Sequence, residues 1–469
     1  MNPRSWFFWL LLPLVGCSFT TAGNFEECKN DLDCGTVAAC SKGYCLTLPA
    51  GCRREEAGGT VAAFDKTDRI PIAALLPLSN SEGLTDDSEV QGLNAMRLAA
   101  SEVNRTGIKG RPFGLFVCDI GRSDGGGDDA TRKYTGWMVE NLQVPAFIVS
   151  GSGATTQAAT LPARLDAGTL VISANATSPS LSSTFRTAGN VWRVPPSDDL
   201  QARALTNLIK ADFPDAGTTR VDVIYVNDSA YGTSFGLPMV ESLRAAGFIT
   251  DGRPFPVDDL AGAITPIING LSNASPKATV LIAFPPEARA LITRAKTFPA
   301  LTRAGGHRWY LTDAMKDPAV LTPETLTELD QAIGTAPAQG AGNAFPAFRD
   351  SFRTRYGIDP NTFSFTSHSY DAMWLVMLAT AAAQSTSSFA GPALGQGMGK
   401  LANTTQQPIP LRADKWTEAS NLLLEGKSIN AEGSSGALDF DLDAGVPAAP
   451  YEVWQVSDGG IRVLRLTNP

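Results

Sequence analysis

Histidine is scarce: the 469-residue chain has two, His307 and His368. Neither lies in an H-x-x-x-H pair or beside a cysteine, so a zinc-hydrolase ligand set is lacking. No G-x-S-x-G, S-x-x-K or P-loop sequence occurs. The stretch Gly151-Ser152-Gly153 begins like a dinucleotide fingerprint, but its sixth position is Thr156 and not glycine. The acidic run SDGGGDD at 123–129 lacks the spaced ligands and closing glutamate of a calcium loop and reads as a solvated strand-to-helix connection. His368 reads as a satisfied polar residue at a helix start. No catalyst, cofactor or metal site is expected.

Basic residues are outnumbered, 38 against 47 acidic, and the net charge of −9 argues against a nucleic-acid partner. Beyond the first residues, no apolar run is long enough for a second membrane anchor. C-x2-C knuckles are also absent, although five of the seven cysteines crowd between Cys28 and Cys52. Their spacing, C-x5-C-x5-C-x4-C-x6-C, favours disulfides over zinc. Cys28, Cys34, Cys40 and Cys45 would form two bridges of unspecified connectivity. Cys52 and Cys118 then remain: either they pair, or Cys118 is a buried free thiol on an apolar strand. The small module is either a spacer or a surface for a partner.

What is present begins at the N-terminus. Arg4 precedes the apolar run 6–16, which is too short for a bilayer span of about 20 residues and has the length of a signal-peptide core. It ends Leu14-Val15-Gly16-Cys17, which resembles the lipobox of bacterial lipoproteins. That resemblance implies cleavage before Cys17, a lipid on its thiol, and a protein held on a bacterial membrane, periplasmic or at the cell surface. The charged and glycine-containing stretch 53–68 reads as a linker.

Further on, short continuous apolar runs alternate with helical patterns. Strands are expected at 70–77, 113–120, 146–150, 169–174, 221–226, 279–284 and 309–312, and helices include 235–246, 287–296, 345–356 and 370–383. Apolar strands separated by helices signal a parallel sheet covered on both faces. A double proline at 195–196 ends the first series. Strands at 451–456 and 461–466 flank the turn Asp458-Gly459-Gly460.

From Ile70 onward the order of segments resembles the branched-chain amino-acid receptors, the type I periplasmic binding proteins of ABC transporters. The segments are IPIAALLPLSNSEG and QGLNAMRLAASEVN, the loops GSGATTQAA and ISANATSPSL, then VNDSAYG, YGIDP, SYDAMW and the closing GALDFDLDAG with YEVWQV. The Cys-rich head and a longer first loop at 81–89 depart from the family. The resemblance implies an α/β fold of two doubly wound parallel-sheet lobes with an interlobe cleft, preceded by a small disulfide-rich segment. The expected divisions are 1–16 signal peptide, 17–68 lipidated Cys-rich segment and linker, 69–191 and 337–441 lobe 1, and 192–336 and 442–469 lobe 2.

The loops at 151–159 and 172–181, rich in Ser, Thr and Gly, sit at strand ends. Their N–H groups and hydroxyls suit a ligand carboxylate, or else they serve as helix caps and turns. By resemblance, Thr177 holds the ligand carboxylate and Asn175 supplies a backbone carbonyl. Gly153 stands where the family has serine, and Thr155 offers a substitute hydroxyl. Asp313 stands where the family places an acid for the ligand ammonium. Tyr231 covers the ligand or packs in the core, and Phe365 and the Phe284-Pro285 pair form apolar walls or core. The implied function is capture of an amino acid or related small carboxylate for an ABC permease. The alternatives are a ligand sensor and a protein-docking lipoprotein resembling the activators of cell-wall synthases.

Overall fold

The computed structural model describes residues 26–55, 69–79, 84–121, 127–164, 168–186, 188–384 and 391–469. The signal segment, Cys17, and parts of the stretches at 53–68, 81–89 and 123–129 lie outside the described residues.

The head is a hairpin of β1 (Ala38–Ser41) and β2 (Tyr44–Thr47), followed by β3 (Cys52–Arg54). Disulfides join Cys28 to Cys40 and Cys34 to Cys45, so the four sulfurs are oxidised rather than metal-bound. A third bridge joins Cys52 to Cys118, which resolves the alternative left open for these two residues.

The head is not a detached module. In lobe 1 the sheet runs β3-β5-β4-β6-β7-β8, with β4 (Ile70–Leu76), β5 (Phe113–Asp119), β6 (Ala146–Val149), β7 (Leu170–Ser173) and β8 (Val191–Arg193). Strand β3 lies antiparallel on the edge strand β5, with Cys52 opposite Cys118. Edge strands invite pairing, and β3 covers this one. The stretch expected to be a linker therefore starts inside a strand. Its residues alternate, with Cys52 and Arg54 buried and Arg53 exposed, so the charge of Arg-Arg masks a half-buried strand. Buried Asp31 anchors the head further: its carboxylate accepts from Cys40 N at 2.6 Å and pairs with Arg69, beside the start of β4.

Lobe 2 carries β9 (Val221–Val226), β10 (Gly252–Phe255), β11 (Ala278–Ile282), β12 (Arg308–Leu311) and β13 (Ile333–Pro337), all parallel. Two short pairs follow in the chain, β14 (Pro408–Pro410) with β15 (Asn430–Glu432) and β16 (Phe440–Asp441) with β17 (Val446–Pro447). The closing hairpin β18 (Tyr451–Ser457) and β19 (Gly460–Thr467) then adds antiparallel to β13, giving the order β10-β9-β11-β12-β13-β18-β19. Gly334 on β13 is required by packing, because a Cβ there would lie 2.3 Å from the Trp454 ring.

The main core lies in lobe 1, around the helix Thr366–Gln384. That helix is buried on every side, so it shows no amphipathic stripe and only its long apolar run betrays it. Trp374 packs edge-on against Trp416, whose Nε1 donates to Gly107 O at 3.1 Å.

The chain passes between the sheets after β8, after β13 and before β18. These passages lie side by side: Arg193 N donates to Gly445 O at 2.8 Å and Ala338 N to Pro450 O at 3.1 Å. Tyr451 Oη donates to Ser197 O at 2.7 Å. Adjacent crossing strands of this kind are where a hinge between lobes would act.

Candidate functional site

A cavity of about 510 Å³ lies between the lobes, within the usual range for small-molecule sites. Its walls come from the carboxyl ends of strands in both sheets, where open α/β sheets bind ligands. Lobe 1 contributes the start of the helix Asp87–Val103, the end of β5, and Ser150 to Ala154 after β6, with Asn175 after β7. Lobe 2 contributes Tyr231 after β9, Phe284 after β11, and Asp313 to Asp317 after β12. Phe365 lies between the passages and the helix Thr366–Gln384.

Of the residues singled out in the sequence, Gly153, Asn175, Tyr231, Asp313 and Phe365 line this cavity, together with Phe284 and Pro285. Thr155 and Thr177 do not. Thr155 is buried, and its hydroxyl donates back to Gly151 O at 2.7 Å, a helix-internal bond. Thr177 is also buried, with its hydroxyl hydrogen-bonded to Asp198. In this structure both serve the protein rather than the cavity.

On the lobe 2 side Asp313 is 3% exposed. Its Oδ1 accepts from Gln201 Nε2 at 3.0 Å, and Tyr231 Oη lies 3.1 Å away and 2.9 Å from Thr312 Oγ1. Ser364 Oγ donates to the Asp313 carbonyl at 2.8 Å, which ties the Phe365 loop to β12. Phe365 has φ +66, a left-handed conformation uncommon for a bulky residue. Its ring meets that of His368 edge-on at 5.5 Å. Buried His368 departs from the expectation of a satisfied residue, because its Nδ1 has no hydrogen-bond partner among the described residues. Burial and the nearby Lys316 charge hold its pKa down at about 3, so it is neutral at physiological pH.

Burial pushes the Asp313 carboxyl up to about 6, against the stabilising hydrogen bonds of Tyr231 and Gln201. Burial also pushes Asp317 up to about 6, reinforced by the like charges of Asp86 and Asp87 on the opposite lobe. Lys316 lines the cavity, but it is buried and forms an ion pair with Glu452.

The lobe 1 wall holds what the sequence reading missed. Glu89 Oε1 accepts from Ser150 Oγ at 2.6 Å and from Asn175 Nδ2 at 3.0 Å. Asn175 Oδ1 accepts from Gly151 N at 2.6 Å, so the Asn175 side chain organises this wall. Asp128 Oδ1 would lie 3.4 Å from a Cβ on Gly153, and its Oδ2 accepts from Gln157 Nε2 at 3.0 Å. The acidic run at 123–129 therefore ends in the cavity wall rather than only in solvent. Its position after a predicted strand was the signal available.

The family model for the receptor family ligand binding region matches residues 91–459. The chain belongs to that family. Solved structures agree in fold. A leucine-binding protein from Thermotoga maritima superposes with a TM-score of 0.68 at 16% identity, covering 85% of this chain and 99% of that one. A branched-chain amino acid transporter substrate-binding protein from Streptococcus pneumoniae, in complex with isoleucine, gives 0.64 at 17%, covering 86% and 100%. A solute-binding protein from R. palustris, in complex with benzoate, gives 0.61 at 16%, covering 86% and 97%. No curated protein matches the chain. The fold is thus the type I periplasmic binding fold, with disulfides in its N-terminal region.

Proposed function

We propose that this protein is an extracytoplasmic solute-binding lipoprotein that captures a small amine-bearing molecule between its lobes and delivers it to an ABC permease. It binds without transforming its ligand. The observation that carries this reading is Asp313: a carboxylate nearly out of water, in the wall of an interlobe cavity, with Tyr231 and Phe284 beside it. A buried charge without a counter-ion is costly, and an incoming ammonium would offset that cost. A thermal-shift screen against metabolites tests the reading. Binding to the native state alone raises stability by RT ln(1 + [L]/Kd), about 2.7 kcal/mol at 100 Kd. A protein that only docks on a partner would show no shift with any metabolite.

Binding should depend on pH. The groups facing Asp317 are Asp86, Asp87 and Arg289, and those facing Asp313 are Tyr231, Gln201 and the buried Asp198. The Asp313 and Asp317 carboxyls titrate near 6 in the free protein, so both are largely ionised at pH 8 and largely protonated at pH 5. An ammonium ligand should bind more weakly as pH falls through 6, read by calorimetric titration at the two pH values. Binding that strengthens toward pH 5 would count against an ammonium partner for these groups.

Membrane attachment is part of the proposal and rests on the sequence around Cys17. Cys17→Ser should abolish incorporation of labelled palmitate into the protein. Label retained in the variant would contradict the anchor.

A further inference from the structure

The two walls of the cleft carry charge of the same sign. Six aspartates line it: Asp86 and Asp128 from lobe 1, and Asp228, Asp258, Asp313 and Asp317 from lobe 2. None of the six forms an ion pair with Lys or Arg among the described residues. Asp313 and Asp317 are nonetheless buried, at 3% and 9% exposure. Among the described residues the one cation in the lining is Lys316, whose charge is taken up by Glu452. A ligand carboxylate entering this space would meet like charge from both sides.

Side-chain donors of lobe 1 suited to a carboxylate are also engaged by the protein's own acid, Glu89. Ser150 Oγ and Asn175 Nδ2 both donate to Glu89. Asp128 Oδ1 stands 3.4 Å from where a Cβ on Gly153 would lie, so this wall carries a carboxylate beside the glycine. The hydroxyls of Thr155 and Thr177 are turned to Gly151 O and Asp198. Lobe 1 thus presents carboxylates beside side-chain donors that are already taken up. Tyr231, Phe284 and Phe365 also line the cavity, and ring faces suit methylene groups and attract cations.

Building on the solute-binding reading, we infer that the cleft takes a small organic dication of the α,ω-diamine or polyamine class. One ammonium group lies against Glu89 and Asp128 of lobe 1 and the other against Asp313 and Asp317 of lobe 2. Its methylene chain lies along the three aromatic rings. Such a ligand neutralises the like charges that otherwise oppose closure of the lobes, so ligand and closure favour one another.

Calorimetric titration of the full chain at pH 8 tests this with putrescine and spermidine against L-leucine, L-glutamate and benzoate. At least one of the two amines should bind tenfold or more tighter than each of the other three. Asp317→Asn should weaken that binding at least fivefold, and Asp128→Asn on the opposite wall should do the same, each with an unchanged circular dichroism spectrum. Two isosteric variants on separate lobes guard against loss of fold in one. Leucine, glutamate or benzoate binding as tightly as the amines overturns the dication and leaves the solute-binding reading standing. Amine binding that neither variant weakens places the cation outside this cleft and overturns the inference. If no compound in the set binds, and the metabolite screen is also silent, the solute-binding reading fails with it.

Discussion

Asp313→Ala is expected to weaken ligand binding by more than tenfold while leaving the ligand-free protein close to its parent stability. A charge-assisted hydrogen bond contributes about 1.5–3 kcal/mol, and about 1.4 kcal/mol is a factor of ten in affinity. The structure explains why the fold should tolerate the change. Gln201 Nε2 keeps its second acceptor, Thr335 O at 2.9 Å, and Tyr231 Oη keeps Thr312 Oγ1. Removing the carboxylate also relieves Asp198, whose own carboxyl is held well above the ordinary range by burial and by the charge of Asp313. Calorimetric titration gives the affinity and thermal unfolding gives the stability. Parent-like affinity would move the ammonium away from Asp313, and a large drop in melting temperature would make Asp313 a structural residue.

Replacing Cys52 and Cys118 together by serine should cost about 4 kcal/mol, because their bridge closes a loop with a sequence separation of 66. Losing Cys28–Cys40, with a separation of 12, should cost less, about 3 kcal/mol on the same chain-entropy reasoning. The order of the two is the informative part. Tyr134 Oη donates to Ala50 O at 2.6 Å, so the turn before β3 is also pinned to the helix Gly127–Leu142. Urea unfolding of the two double variants measures the difference. A larger loss from the head bridge than from Cys52–Cys118 would mean that the head, rather than its attachment to lobe 1, limits stability.

Where the apolar pattern is regular, the sequence and the structure agree closely. The strand at 221–226 and the helix at 345–356 coincide with Val221–Val226 and Phe345–Tyr356. Both are framed by turn residues, and the strand is buried at every position. Strand β10 (Gly252–Phe255) escaped notice because Gly and Pro stand in it and only Phe255 is buried. Strand β3 escaped because its partner, β5, is far along the chain and its own residues are charged.

The site divides in a similar way. Asp313, Tyr231 and Phe365 were legible through the order of segments they sit in. Thr177 was singled out by resemblance and Thr155 as a substitute for the serine missing at Gly153, but the same residue type serves equally as an internal hydrogen-bond donor, and nothing local distinguishes the two uses. Asp128 belongs to a run that reads as solvated, and Glu89 to a first loop that departs from the family. Their meaning comes from the opposite lobe: acidity of the cleft as a whole is a property of two distant stretches brought face to face, and no single window of the chain carries it.

The central claim is capture of a small molecule between the two lobes. Hydrogen exchange measured with and without the tightest ligand from the metabolite screen tests it most directly. Amides of Ser150 to Ala154 on lobe 1 and of Asp313 to Asp317 on lobe 2 should slow together in the bound protein, with half-effects at the same ligand concentration. Slowing confined to one lobe, or slowing only in the Cys-rich head at 26–55, would contradict capture in the cleft.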